Sequence, residues 1–220
     1  MEMSKGSNKN LIPPLSCKDY TVSGDCFELT TNKEYEMLVT APLPVNLEKY
    51  YKSAAYISHT DSKKTCFDKV YHTVKNYALH QKLSLLNSFE TSEKSVLDVG
   101  AGTGDFLSVC KKNDWTTLGI EPSAAARAIA KKKEVFLKAE LSEIKNQKFD
   151  VISLWHVLEH VEHLKDTIKT LQSLLKPGGR IVVAVPNYKS YDAQFYKEYW
   201  AAYDVPRHLW HFSQKSIHKL

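Results

Sequence analysis

Only four cysteines occur in 220 residues, at positions 17, 26, 66 and 110, and no two form a C-x-x-C pair. A disulfide-stapled scaffold is excluded, and scattered thiols suit a reducing compartment. Long apolar runs are missing too: none approaches the ~20 residues a membrane helix needs. The polar stretch Met1 to Asn10 lacks the apolar centre of a secretory signal. Together these absences predict a soluble, cytoplasmic protein. Charge of one sign is also scarce, with 30 Lys and Arg against 25 Asp and Glu for a net +5. The two signs are interspersed, so nucleic acid is not indicated as a partner. The clearest basic run, Lys131 to Lys133, closes a predicted helix, where lysines favour the negative end of the dipole.

What is present is enough for one domain with a proper core: 220 residues, of which 43% are hydrophobic. The chain is organised around Ser95-Val-Leu-Asp-Val-Gly-Ala-Gly-Thr-Gly-Asp-Phe-Leu107. Ser95 to Val99 is too short for a helix and reads as a buried strand. Gly100, Gly102 and Gly104 follow at alternate positions, and Asp105 opens an amphipathic helix. A strand, a glycine turn and a helix start let a ligand approach bare backbone, whose N–H groups can hold an anion. The dinucleotide fingerprint G-x-G-x-x-G would place a glycine where Asp105 stands, which argues against a nicotinamide-dependent oxidoreductase. Asp98 lies inside the strand before the turn. A second strand, Thr116 to Ile120, ends in Glu121, whose carboxylate can accept both hydroxyls of a ribose.

These residues resemble the class I S-adenosylmethionine-dependent methyltransferases. The resemblance is carried by Asp98 to Gly104, Gly119-Ile-Glu-Pro-Ser123, Phe149 to His160 and Leu175-Lys-Pro-Gly-Gly-Arg-Ile181. It implies S-adenosyl-L-methionine as cofactor and methyl transfer to a small-molecule acceptor, with O-methylation favoured. It further implies a cofactor site built from Asp98, Gly100, Ala101, Gly102, Thr103, Gly104 and Phe106, then Glu121 and Pro122. Glu140, Trp155 and His156 follow later strands, and Tyr56 and His59 lie upstream. The glycine loop would face the methionyl part, Glu121 the ribose, and Glu140 the adenine amino group. A non-catalytic cofactor-binding module, or a truncated methyltransferase fragment, is the alternative.

Taken in order, residues 1 to 16 read as a loose N-terminus rich in Lys, Ser and Asn. Tyr20 to Val22 and Cys26 to Thr31 alternate around Ser23-Gly-Asp25 as a hairpin, with Glu36 to Thr40 as a third strand. This 17–44 segment resembles the zinc ribbon of a methyltransferase subgroup. Asn32 and Tyr35 stand where that ribbon has a cysteine pair, and the earlier pair is missing, so no metal is expected. Residues 45–90 form a helical lead-in, with a Tyr-rich stretch at Tyr50, Tyr51 and Tyr56 and two consecutive helices over 67–87. Tyrosine faces attract a sulfonium cation, and they equally serve as packing residues.

Residues 91–220 form the core. Helices at 105–112, 123–132 and 163–175 alternate with strands at 116–120, 134–138, 149–154 and 180–185. The fold class is therefore α/β: a Rossmann-like, doubly wound, mostly parallel sheet with helices on both faces and a small N-terminal β/helical extension. Leu175 to Gly179 reads as a helix stop and turn. The aromatic-rich stretch 188–203 and Asp204-Val-Pro-Arg-His208 resemble the family's lid or substrate wall, whose Asp-x-Pro-x-His pattern stands here as Asp204, Pro206 and His208. The sequence stops at Leu220 before the family's last two strands, which reads as a fragment or a shortened protein. Of His156, His160, His208 and His211, the catalytic base candidates put first are His208 and His156. His156-Val-Leu-Glu-His160 also fits H-x-x-E-H, a zinc-protease pattern. It is rejected because the first histidine leaves a strand and no third ligand follows. Oligomeric state and acceptor identity are not readable.

Overall fold

The computed structural model describes residues 14–51 and 66–220. In chain order the elements begin with strands β1 (Leu15–Lys18), β2 (Cys26–Asn32) and β3 (Met37–Ala41), then helix α1 (Cys66–Asn87). Next come β4 (Ser95–Val99), α2 (Asp105–Lys111), β5 (Thr116–Ile120), α3 (Ala124–Lys132) and β6 (Leu137–Lys138). The chain continues through β7 (Phe149–Trp155), α4 (Leu164–Ser173), β8 (Leu175–Ala184), α5 (Tyr191–Tyr196), β9 (Trp210–His211) and α6 (Gln214–Lys219). These elements fall into two compact units, one of residues 54–185 and one joining residues 1–53 to 186–220.

The 54–185 unit carries a five-stranded sheet ordered β6-β5-β4-β7-β8, and every pairing in it is parallel. Parallel strands need crossovers, which α2, α3 and α4 supply as they pack on β5, β6 and β8. Every residue of β4 is buried, as is β7 up to Leu154. Strands covered on both faces read as near-continuous apolar runs, which is what Val96, Leu97, Val151, Ile152 and Leu154 provide. Leu83, Leu86, Phe106, Leu107 and Cys110 join this core from the helices, and Trp115 from the residue before β5. The Rossmann-like α/β expectation holds.

Three local expectations change. The 67–87 stretch is one helix, not two, because it contains no glycine or proline to interrupt the ladder. Strand β6 shrinks to two residues. Leu175 to Gly179 is the start of β8 rather than a turn before it. Leu175 pairs with Phe149 and Arg180 with Val151, so three extra residues bulge out, with Gly178 at φ 76.

The other unit contains the antiparallel sheet β1-β2-β3-β9. Its first strand is Leu15–Lys18 rather than the expected 20–22. Asp19 displaces it: its buried carboxylate accepts the N–H groups of Thr21, Val22 and Ser23 at 2.9–3.2 Å, folding 19–25 into a turn. Strand β9 joins by pairing His211 with Leu38 and Trp210 with Val39. Arg207, 1% exposed, donates to Asp204, to Asp19 at 3.1 Å and to the Tyr50 carbonyl at 3.1 Å. Tyr50 packs edge-on against Phe27 and donates its hydroxyl to Asp25 at 2.9 Å, so it serves as a packing residue. Among the described residues, no helix is long and apolar enough to cross a membrane.

Candidate functional site

Strand order in the parallel sheet reverses at β4, with β5 on one side and β7 on the other. Loops beyond the carboxyl ends of strands form a crevice at such a point. The loop after β4 is Gly100 to Gly104, and its glycines are required for different reasons. Gly100 has φ 74, and a Cβ there would stand 2.3 Å from Val157 Cγ2. Gly102 has φ 53 and opens onto nothing within 4 Å, leaving bare backbone beside free space. The N–H groups of Gly100 and Ala101 donate to the Ile120 carbonyl at 2.8 and 2.9 Å, and that of Gly104 to Ala101 at 3.0 Å. The loop spends these N–H groups on holding its own shape.

Glu121 latches onto this loop. Its Oε2 accepts the Gly102 N–H at 2.9 Å and its Oε1 accepts the Ser123 N–H at 2.9 Å. A carboxylate offers about four lone-pair positions, so two stay open for hydroxyl donors. The turn beneath is fixed by Arg127, whose Nη1 donates to the carbonyls of Glu121 and Pro122, both at 2.6 Å. Ser123 caps α3 by accepting the Ala126 N–H at 3.3 Å. On the loop's other flank, Thr103 donates to Asp105 at 3.0 Å. Asp105 is paired with Lys75 at 2.7 Å and Lys133 at 2.6 Å. Burial opposes its charge, yet the bonds from Lys133 and Lys75 outweigh that and hold the carboxyl down at about 2.

Asp98 is buried within β4, with 3% of its surface exposed. Burial pushes its carboxyl up to about 7, against the pull of the Ser153 hydroxyl, which donates at 2.6 Å, and of the Lys82 ammonium. Lys82 comes from α1 and lies over the rings of Trp155 at 4.3 Å and Phe106 at 5.8 Å. Its own burial draws the ammonium's pKa down, while Asp98 opposes the drop. Trp155 and Phe106 meet edge to face at 5.7 Å, and the Trp155 indole N–H is buried without a partner. Lys82 and Ser153 carry no signal in the sequence. Ser153 sits two residues before Trp155 on β7 with no motif around it, and Lys82 is one lysine among several on a long helix.

Asp98, Gly100 to Gly104, Phe106, Glu121, Pro122 and Trp155 thus share one region of the 54–185 unit. Glu140 precedes the short 3₁₀ turn Leu141–Glu143, is exposed, and accepts the Ser142 hydroxyl at 3.0 Å. His156 has φ 59 at the end of β7, keeps its side chain 66% exposed, and lies 3.4 Å from Glu159. Its pairing with Glu159 raises the imidazole pKa, against burial. His208 belongs to the other unit, where its Nδ1 is 2.8 Å from the Ala202 carbonyl. His211 in that unit is buried, and burial pushes its imidazole down to about 3. Tyr56 and His59 lie outside the described residues.

Residues 71–220 match the profile of a family described as methyltransferase domain. The chain belongs to this family. A curated relative from Anoxybacillus flavithermus, an uncharacterized methyltransferase, is 30% identical over 146 residues, 63% of each chain. The ubiquinone biosynthesis O-methyltransferase of Coxiella burnetii is 29% identical over 109 residues, 44% of this chain and 47% of that one. The matched part of this methyltransferase domain therefore spans about half to two thirds of these relatives' length. Among solved structures, the magnesium protoporphyrin IX methyltransferase of Synechocystis, with S-adenosylhomocysteine bound, aligns with TM-score 0.58 at 16% identity. It covers 77% of this chain and 83% of its own. A methyltransferase from Thermotoga maritima, described as a possible histamine N-methyltransferase, aligns with TM-score 0.51 at 23% identity, covering 68% and 71%. At these identities the structural likeness speaks for the fold.

Proposed function

We propose that this chain transfers a methyl group from S-adenosylmethionine to a small-molecule acceptor, with oxygen as the acceptor atom. The observation that carries the reading is the Glu121 latch: a carboxylate with two open lone-pair positions, 2.9 Å from the N–H of a glycine that faces free space. That donor set fits a ribose with two neighbouring hydroxyls beside a backbone without side chains. When bound, the cofactor supplies an electrophilic methyl group on a sulfonium. The chain's own residues then have to bind, orient and exclude water, because holding the partners in line can account for ~7–11 kcal/mol of the barrier. The aromatic pair Phe106 and Trp155 supports water exclusion beside a cation.

Oxygen as acceptor rests on the distant likeness to the Coxiella O-methyltransferase. An oxygen acceptor carries a proton, and the base that removes it is one of the two candidates, His156 or His208. Cytoplasmic placement rests on the cysteine usage. The test is calorimetric titration of the chain with S-adenosylhomocysteine, for the unaltered protein and for Glu121→Ala. Binding that the substitution weakens about 10- to 100-fold is expected, the effect of losing a charged hydrogen-bond acceptor. Unchanged affinity in the variant would sink the assignment of Glu121, and no binding by the folded protein would sink the function.

A further inference from the structure

A cavity of about 260 Å³ opens within the unit that joins residues 1–53 to 186–220, and its lining residues are not those of the site described above. It is smaller than the ~300–1,000 Å³ pockets that hold drug-sized ligands, so it suits a compact head group. On one side β1 runs into the 19–25 turn, which brings Lys18 and Tyr20 to the cavity. On the other, the 3₁₀ turns Lys197–Tyr199 and Ala201–Tyr203 bring Glu198, Tyr199, Trp200 and Tyr203. Tyr20 and Tyr199 are each 66% exposed, with ring centroids 6.3 Å apart. Trp200 and Tyr203 meet edge to face at 5.1 Å. The charges around these rings sum to one negative. Arg207 lines the cavity but is held by both Asp19 and Asp204, and Lys18 is opposed by Glu198. Among the described residues, the Glu198 carboxylate has no hydrogen-bond or ion-pair partner. Its charge is felt inside the cavity, where burial first and Glu198 second push the Cys17 thiol up to about 12. The rings already attract one cation of the chain itself, the Lys18 ammonium, 5.7 Å from the Tyr20 centroid.

We propose that this cavity binds a small organic ammonium, and a quaternary, methylated nitrogen best of all. Aromatic faces carry the negative side of the ring quadrupole and attract a cation placed over them. Ring faces are poor hydrogen-bond acceptors, so a primary ammonium would leave N–H groups unsatisfied there, whereas a quaternary nitrogen has none to satisfy. The unpartnered Glu198 carboxylate supplies the opposite charge. The inference is independent of the methyl-transfer reading.

The test is titration with choline and with its uncharged carbon isostere, in which a tert-butyl group replaces the trimethylammonium, followed by NMR at the backbone amides within 17–21 and 198–207. The two probes share a shape and differ in charge. Choline should shift these amides and bind about 10-fold or more tightly than the isostere. Glu198→Gln and Tyr199→Leu change side chains that carry no packing core, and each should bring the two probes within about 3-fold of one another. Lys18→Met removes the competing ammonium and should tighten choline about 2- to 5-fold. No shift with choline, shifts confined to amides outside these segments, or equal affinity for the two probes in the unaltered protein would overturn the proposal. Discrimination that survives both Glu198→Gln and Tyr199→Leu would overturn it as well.

Discussion

Asp150→Ala is the perturbation whose consequence follows most directly from the structure. Asp150, the second residue of β7, has 6% of its surface exposed, and its carboxylate ties together three chain segments. Oδ2 accepts the N–H of Ser95 at 2.9 Å and its hydroxyl at 2.7 Å; Oδ1 accepts the N–H of Ser92 at 3.0 Å and its hydroxyl at 2.8 Å. Lys176 of β8 adds an ion pair at 3.0 Å. Burial opposes the charge, but the bonds from Ser95, Ser92 and Lys176 hold the carboxyl far below the usual range. Removing the carboxylate strands these donors, and a buried charged network that loses one partner costs about 3–5 kcal/mol. That is a large share of a domain's ~5–15 kcal/mol. The assay is native-state hydrogen exchange of peptides spanning β4 and β7 at pH 7, which reads opening of this unit without assuming that the whole chain unfolds at once. Protection in the variant should fall by about 150- to 5,000-fold. A fall below about 10-fold would refute the account of β4, β7 and β8 as held by this carboxylate. The sign with pH follows: the folded pKa is depressed, so the contribution is complete above the unfolded value of about 3.9 and is lost as pH falls through the folded one.

Two further outcomes are expected. The Thr40 hydroxyl donates to the His208 carbonyl at 2.6 Å, so at 2.9 Å it accepts the N–H of His211 Nε2, and His211 is buried neutral. With a folded pKa of about 3 against 6.5 for the free side chain, stability it contributes above pH 6.5 is lost as pH falls toward 3. The stability difference between the unaltered protein and His211→Gln in urea should therefore shift by up to ~1.4 kcal/mol per pH unit below 6.5, and parallel profiles would refute it. For the proposed base, His156→Ala and His208→Ala are compared once an acceptor is found. The true base should lose about 100-fold or more in kcat with S-adenosylhomocysteine affinity kept. A variant that loses affinity and keeps kcat marks a cofactor-side residue instead.

By itself the sequence determined the parallel sheet and where its crevice lies. The mainly apolar runs at 95–99 and 149–154 are too short for helices and read as strands covered on both faces, and three alternating glycines between a strand and a helix read as a tight turn. Those patterns are local, set by backbone sterics and burial, so they can be read from consecutive residues. Local reading failed where a side chain or a distant partner decides. Asp19 moved the first strand by folding its own turn, and nothing in the composition of 20–22 shows that. Leu175 to Gly179 carries every sign of a stop, yet pairing with Phe149 draws it into β8. The joining of β3 to β9, more than 160 residues apart, and the burial of Arg207 between Asp19 and Asp204 are long-range choices. The same holds in the candidate site. Glu121 is visible as a strand-ending acid, whereas its latch on Gly102, the Ser153 bond to Asp98 and the Lys82 ammonium over Trp155 exist only once β4, β5, β7 and α1 are packed together. Spacing along the chain carries period and turn chemistry; which charges end up sharing one desolvated wall is decided by packing.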